Sequence, residues 1–247
     1  MLAFFYIIAL CKTKIYPIKN SFQRGNMKTF KVNNLVAERY IVGPIQENTY
    51  LVYEENAKEA ILIDPGSKSE EIVERIKELN FEKLTIFLTH GHGDHIAGVE
   101  FIRSNFPKAK LAVSIEDAPL LQDPDENLSF YINETVTIRP AEITIKEGDT
   151  FRTGSHMGIA RHVPGHTRGG MVLVFDEMVF SGDTLFCEGV GRSDFPGGNA
   201  LALLQAIKSK ILTLSDRIVL PGHGPETSIE REKTNNPFLN EDAFWGF

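Results

Sequence analysis

Three histidines and an aspartate lie within six positions of one another in the segment LTHGHGDHIAG, residues 88–98. The chain has only seven histidines, so this concentration requires a chemical cause. Imidazole and carboxylate groups without thiolates are a ligand set for zinc, iron or manganese. Residues two apart in an extended segment point the same way, so His90 and His92 can bind one ion. Asp94 and His95 diverge and can serve a second ion, and the intervening glycines allow the tight backbone path.

Two other interpretations of this segment are weaker. GHGDHI begins like a phosphate-binding GxGxxG loop, but Ile96 occupies the third glycine position. Asp94 lies where a pyrophosphate needs bare backbone N–H groups, and a carboxylate there repels phosphate. A merely His-rich surface loop is disfavoured because the segment follows KLTIFLT, residues 83–89, an apolar run typical of a buried strand. Functional sites of α/β proteins gather at the ends of such strands.

Three more candidate ligands follow in the second half of the chain: His166 in RHVPGHTRGG, Asp183 in FSGDTLF and His223 in IVLPGHGP. Each taken alone is better explained by a structural role, such as a cap or a hydrogen-bonded histidine. Together with the first cluster they supply five histidines and two aspartates, enough for a two-metal site with an open edge. Pro164 disfavours a helix before it, so His162 and His166 form no helical zinc pair. We predict His166 as the ligand and His162 as a supporting residue.

The other polar residues of interest receive smaller predicted roles. Cys187 is predicted to be an ordinary loop thiol. Arg192 and Asp194 are predicted to form an ion pair that fixes their loop, with substrate contact as the alternative. The remaining candidates are predicted to shape turns or to lie on the surface: Asn48, Asp64 and His156.

Both halves of the chain run from strands to alternating strands and helices. Short β-rich segments start at Met27 and lead to an amphipathic helical pattern at residues 67–80. The second half begins with predicted strands, the first at residues 136–141, and continues to a helix at 199–214 and a buried strand at 216–221. Two mixed sheets packed face to face, with helices outside, satisfy this pattern in an α/β chain of the α+β type. We predict one domain over residues 27–247.

The N-terminal extension, residues 1–26, is predicted to be dispensable or mis-assigned, with an anchor or export signal and a structured element as the alternatives. Its apolar run MLAFFYIIALC is about half the length needed to cross a bilayer, and it lacks a cationic start. The net charge of −7 disfavours a general nucleic-acid binder. The chain has two cysteines that are far apart in sequence, which is typical of a protein from a reducing compartment. We expect a cytoplasmic enzyme for a small molecule, with no nucleic-acid partner and no stable membrane association.

The HxHxDH motif, followed in order by His166, Asp183 and His223, resembles the metallo-β-lactamase fold superfamily of metallohydrolases. The resemblance implies a four-layer αββα sandwich of two mixed β-sheets flanked by helices, with two divalent metal ions at the sheet edge. Zinc is the expected metal, with iron or manganese as alternatives. The resemblance implies two triads of ligands: His90, His92 and His166 for the first ion, and Asp94, His95 and His223 for the second. It also implies that Asp183 bridges both ions.

The segment SGDTLFCEGVGRSDFPGG, residues 181–198, is similar to a loop of glyoxalase II-like hydrolases, which act on acylated glutathione thioesters. This implies hydrolysis by a metal-bridging hydroxide that Asp94 and Asp183 hold in line. A thiolate leaves without a proton, so no catalytic acid is required. Few residues follow His223, where glyoxalase II enzymes carry a segment that grips glutathione, and this favours a smaller or different thioester. The alternatives are a mononuclear-iron enzyme that oxidises a persulfide, and a phosphodiesterase or lactonase with the same binuclear site.

Overall fold

The first of two large sheets contains eight strands in chain order. The computed structural model describes the backbone of residues 21–24 and all of residues 27–239. β1 to β5 form an antiparallel meander, and β5 to β8 run parallel. The strands are β1 Ser21–Arg24, β2 Met27–Val32, β3 Leu35–Val42, β4 Glu47–Glu54, β5 Glu59–Ile63, β6 Lys83–Phe87, β7 Lys110–Ser114 and β8 Ile143–Ile145.

The second sheet contains six strands in the order β16-β15-β12-β11-β10-β9. Only β12 and β15 pair in parallel; the other neighbours are antiparallel. A separate hairpin, β13 and β14, follows β12. These strands are β9 Thr150–Thr153, β10 His156–His162, β11 Met171–Val174, β12 Met178–Gly182, β13 Leu185–Phe186, β14 Gly189–Val190, β15 Ile218–Pro221 and β16 Thr227–Ser228.

The helices are short, and most of them lie on the outer faces of the sheets. Ser69 caps α1 by accepting a hydrogen bond from the Ile72 amide, and an apolar stripe of α1 is buried. A π-helical turn continues α4 over Ile207–Ile211. The α-helices are α1 Glu70–Leu79, α2 Gly93–Ile96, α3 Val99–Asn105, α4 Ala200–Ala206 and α5 Ile229–Asn235, and two 3-10 helices span Ala118–Gln122 and Ser129–Ile132.

Three apolar clusters hold the layers together. The central one lies between the two sheets, where Tyr50 of the first sheet contacts Phe180 of the second edge to face, with ring centroids 5.3 Å apart. An outer cluster packs α1 and α3 on the first sheet, and another packs α4 and α5 on the second. The layers are therefore helix, sheet, sheet, helix, which confirms the predicted αββα sandwich.

One predicted strand, residues 136–141, is not a strand in the structure. Val136 and Ile138 are buried in the outer cluster of the first sheet, which explains the apolar alternation. The carbonyls of Arg139 and Pro140 accept hydrogen bonds from the guanidinium of Arg103, both at 3.0 Å, instead of from a neighbouring strand. The Arg103 side chain thus satisfies two backbone carbonyls that would accept hydrogen bonds from a neighbouring strand if the segment lay in a sheet.

The predicted N-terminal extension lies outside the described residues, except for the backbone of β1, which pairs antiparallel with β2. Its role therefore stays a prediction, as does the domain boundary at Met27. None of the helices in the described ranges is both long enough and apolar enough to cross a membrane.

Candidate metal centre

The parallel strand pairs bring the candidate ligands to one edge of the sandwich. β5 and β6 run parallel with Ile63 beside Phe87, so Asp64 leaves the sheet next to the His-rich segment. β12 and β15 run parallel with Gly182 beside Pro221, so Asp183 and His223 emerge side by side. Two pairs of neighbouring strand ends, one from each sheet, therefore surround a single site.

The first triad consists of His90, His92 and His166. One nitrogen of each ring lies within 4.8 Å of the others, and all three residues are buried. The Nδ1 atoms of His90 and His166 are hydrogen-bonded, at 3.0 Å to Thr89 Oγ1 and at 2.7 Å to the Arg192 carbonyl. Their Nε2 atoms are buried and have no hydrogen-bond partner among the described residues. With Nδ1 as the donor, each Nε2 keeps the lone pair that a metal ion requires.

The second triad consists of Asp94, His95 and His223, again with one potential ligand atom each within 4.8 Å of the others. His223 Nε2 lies 3.1 Å from Asp94 Oδ2, and His95 Nε2 lies 3.5 Å from the same oxygen. His95 Nδ1 is bound to Asp64 Oδ2 at 2.9 Å. This hydrogen bond turns the Nε2 atom of His95 toward the centre of the site.

Asp183 lies between the two triads. Its Oδ1 is 3.4 Å from His95 Nε2, and its Oδ2 is 3.6 Å from His166 Nε2 and 3.7 Å from His223 Nε2. Oδ1 is buried and has no hydrogen-bond partner in the described part of the chain. A Cβ on Gly222 would lie 2.4 Å from this oxygen, so a side chain at this position would displace the Asp183 carboxylate. The structure therefore brings together all seven residues predicted as ligands.

The two triads differ in charge. Burial and the neighbouring histidines hold the pKa of His90 well below its ordinary value, and burial with the nearby His166 lowers the pKa of His92 to about 3. In the second triad burial opposes ionisation, but the carboxylates outweigh it and raise the pKa values of both His95 and His223. His90 and His92 of the first triad are thus neutral imidazoles, whereas the second triad is a network of ion pairs.

Asp64 was predicted to shape a turn, and this description is incomplete. Its backbone does turn, with φ at +46°, but its carboxylate also accepts hydrogen bonds from three groups. These are the Thr89 amide at 2.7 Å, the Thr89 hydroxyl at 2.5 Å and His95 Nδ1 at 2.9 Å. Because the Thr89 hydroxyl donates to Asp64, it accepts from His90 Nδ1. Asp64 therefore orients one histidine of each triad.

Asn48 was also predicted to shape a turn, and it holds the turn around His223 from a strand of the other sheet. Asn48 lies within β4, and its side-chain amide donates to the carbonyls of Pro221 and Gly224, each at 2.9 Å. These two carbonyls flank the segment that carries His223. Asn48 therefore fixes the loop of the second triad from the opposite sheet.

The loop after Asp183 contributes to the mouth of the site. Arg192 and Asp194 form the predicted ion pair at 2.7 Å. The Arg192 guanidinium lies over the Phe195 ring, 4.2 Å from its centroid, and Phe195 contacts the edge of His92 at 5.7 Å.

His162 Nε2 is 2.9 Å from the Arg168 carbonyl and so supports the loop that follows His166.

The other two minor candidates lie away from the triads or show no ligand role. His156 is bound to Asn34 Oδ1 at 2.7 Å and lies 3.7 Å from Glu177, far along β10 from the site. Cys187 is half-buried in the turn of the β13–β14 hairpin and belongs to none of the metal-binding groups found among the described residues.

Replacing Asp64 by asparagine is expected to lower metal affinity by about 10- to 100-fold, the usual cost of losing a carboxylate that orients metal-binding histidines. The single oxygen of the amide cannot accept from all three donors that the two carboxylate oxygens bind. Metal content after dialysis against a metal buffer measures the change. Asp176→Asn is the matched control, because the Asp176 side chain is 99% exposed; equal affinities in the two variants would contradict the role given to Asp64.

A profile of the Metallo-beta-lactamase superfamily matches residues 42–223, a span that contains both triads and Asp183. The chain belongs to the metallo-β-lactamase superfamily. It is similar to a probable metallo-hydrolase of Streptococcus pyogenes, with 38% identity over 87% of this chain and 91% of that one. It is also similar to the hydroxyacylglutathione hydrolase GloC of Haemophilus influenzae, with 34% identity over 82% and 97% of the two chains.

Solved structures of the superfamily share the fold. The BLEG-1 B3 metallo-beta-lactamase superposes with a TM-score of 0.76 at 35% identity, covering 82% of this chain and 98% of that one. TTHA1623 in a di-iron-bound form superposes with a TM-score of 0.70 at 32% identity, covering 81% and 99%. These likenesses confirm the predicted family. Family membership and the clustered histidines and aspartates together indicate that this metallo-hydrolase uses divalent metal ions.

Proposed function

We propose that this chain is a thioester hydrolase that binds two divalent metal ions and acts on substrates of the acyl-glutathione type. The observation that carries the proposal is the position of Asp183, whose carboxylate lies within 3.7 Å of histidines from both triads. A carboxylate in this position can bridge two ions, one held by each triad.

The chemistry of the donor set supports two cations. The first ion would be held by His90, His92 and His166, and the second by Asp94, His95 and His223. Buried polar atoms almost always have partners, yet four buried atoms that face the centre have none among the described residues: His90 Nε2, His95 Nε2, His166 Nε2 and Asp183 Oδ1. When bound, two divalent ions supply a shared water of lowered pKa and polarise the substrate carbonyl.

The residues of the chain perform the remaining work of the reaction. Asp94 and Asp183 stay ionised, since Asp94 has a pKa of about 2 and that of Asp183 is held well below its usual range. Burial opposes ionisation in both, but nearby histidines outweigh it. As acceptors they orient the attacking water toward the carbonyl carbon. The departing thiolate needs no proton, so hydrolysis of a thioester proceeds here without a catalytic acid.

The thioester class is supported by the likeness to the Haemophilus influenzae protein named as a hydroxyacylglutathione hydrolase. The match covers 97% of that relative, so the similarity extends over nearly its whole length. Zinc is the metal we propose, with iron as the alternative supported by the di-iron-bound relative. A small-molecule substrate and a cytoplasmic location complete the proposal.

Turnover of a substrate panel tests the proposal. The full chain is assayed with acyl-glutathione, a smaller acyl-thioester, a phosphodiester, a lactone and a β-lactam, the last because one similar structure is a metallo-beta-lactamase. We expect the highest kcat/KM with a thioester. A higher value with any other class would reassign the substrate. A single iron per chain with oxygen uptake would support the persulfide-oxidising alternative instead.

Lowering the pH is expected to release metal from the second triad before the first. The pKa values of His95 and His223 are raised above 6.5 in the metal-free chain, so protons compete with metal there as pH falls from 8 to 5. Protons do not compete at His92, whose pKa is about 3. Metal content and cobalt(II) absorption across this range measure the order of loss. Earlier loss from the first triad, or simultaneous loss, would contradict the charge difference between the triads.

A further inference from the structure

We propose that Asp117 is a positioning residue for the first triad, tying together the two loops that carry His90, His92 and His166 and thereby setting the metal affinity of that triad alone. This inference rests on the proposed two-metal function. Asp117 lies between β7 and the 3-10 helix Ala118–Gln122 and is only 1% exposed.

The Asp117 carboxylate accepts three hydrogen bonds from two loops. Oδ2 accepts from the Gly91 amide at 3.1 Å and from the Thr167 hydroxyl at 2.7 Å. Oδ1 accepts from the Gly169 amide at 2.7 Å. Gly91 is the residue between His90 and His92, and Thr167 directly follows His166. One carboxylate therefore contacts the immediate neighbours of all three histidines.

The surrounding packing fixes this carboxylate in place. The Asp117 amide donates to Ser114 Oγ at 3.2 Å, which anchors the residue to the end of β7. A Cβ on Gly91 would lie 2.7 Å from the Cβ of Leu120, and a Cβ on Gly169 would lie 2.7 Å from the Asp117 amide nitrogen. Both loops approach Asp117 as closely as they do because these positions are glycines.

The second triad has different supports. Asp64 holds His95, and Asn48 holds the carbonyls on either side of His223. The three donors to Asp117 lie next to the histidines of the first triad, whereas Asp94 and His95 lie further along the chain in α2. Loss of Asp117 should therefore weaken one metal position and spare the other. A general loss of folding would weaken both.

Stepwise cobalt(II) titration of the metal-free full chain, followed by visible absorption, tests the inference. Asp117→Asn keeps the shape of the side chain but replaces one acceptor oxygen with an NH₂ donor. We expect one of the two binding steps to weaken by about 10- to 100-fold, as is usual when an outer hydrogen-bond partner is lost, while the other stays unchanged. His92→Ala and His223→Ala mark the first-triad and second-triad steps. Glu116→Gln is the matched control, since Glu116 is the exposed neighbour of Asp117.

Thr167→Val provides a second variant, because it removes one donor to Asp117 at nearly constant volume. We expect a smaller loss at the same step, and this variant decides the outcome if Asp117→Asn does not fold. Unchanged binding, or equal weakening of both steps, would overturn the inference while leaving the proposed function intact. A wild-type chain that binds fewer than two cobalt ions would overturn the proposed function itself, and the inference with it.

Discussion

Replacing Asp183 by alanine is expected to lower kcat for thioester hydrolysis by roughly 10³-fold, equivalent to about 4 kcal/mol of transition-state stabilisation. Asp183 contacts histidines of both triads, with its two oxygens 3.4–3.7 Å from them. Without it the chain would lose the carboxylate that lies between the two triads, and only Asp94 would remain as an acceptor for the attacking water. Steady-state kinetics with acyl-glutathione at saturating metal measure the loss.

The control for this prediction is Asp176→Ala, which removes a carboxylate from the turn just before β12, where the side chain is exposed. Circular dichroism and the thermal midpoint of both variants show whether the fold is kept. A folded Asp183→Ala variant that retains more than about a tenth of the wild-type kcat would contradict the central role of Asp183.

Removal of metal by a chelator is expected to abolish turnover and to lower the free energy of unfolding. An ion that binds only the folded chain stabilises it by about 4 kcal/mol when present at 1,000 times its dissociation constant. Its removal also leaves buried atoms such as His90 Nε2 and His166 Nε2 without a partner. Chemical denaturation of the metal-loaded and metal-free chains measures the stability change, and the thioester assay measures activity.

Restoring metal serves as the control for chelation. Zinc, iron or manganese added after removal of the chelator should recover both turnover and stability, and the metal that recovers most identifies the preferred ion. Magnesium should recover little, because it prefers oxygen ligands to imidazoles. Full thioesterase activity in a chain verified as free of metal would contradict the proposed chemistry.

The ligand residues could be predicted from the sequence because strong local signals mark them. The HxHxDH spacing is unusual in itself, and His166 and His223 each follow a Pro-Gly pair at the end of an apolar run. The αββα architecture could be predicted for a similar reason. The apolar runs and the amphipathic helices alternate in an order that a single pair of sheets accommodates.

The supporting residues could not be predicted in the same way. Asp64 is followed by Pro-Gly and does form a turn, so its local sequence gives no sign of the bond to His95. Asn48 and Asp117 act on loops distant in the chain, and their roles depend on which strands become neighbours. Outer hydrogen-bond partners have no fixed spacing from the ligands they orient.

The misassigned segment at residues 136–141 has a physical explanation of the same kind. Alternating apolar residues predict a strand when one face is buried, and Val136 and Ile138 are indeed buried. Instead of pairing with a strand, its backbone bonds several other groups: Arg103 of α3 donates to the carbonyls of Arg139 and Pro140, and the Ile138 amide donates to the Leu121 carbonyl. These partners come from other parts of the chain, so the local apolar pattern does not reveal them.

Turnover as a function of metal equivalents tests the two-metal hydrolase most directly. The metal-free full chain is titrated with zinc, and thioester hydrolysis is measured together with bound metal by elemental analysis. The account predicts that kcat rises to its maximum only as the second equivalent binds, because both triads beside Asp183 would then hold an ion. A maximum reached at one equivalent, or a rate independent of bound metal, would contradict it.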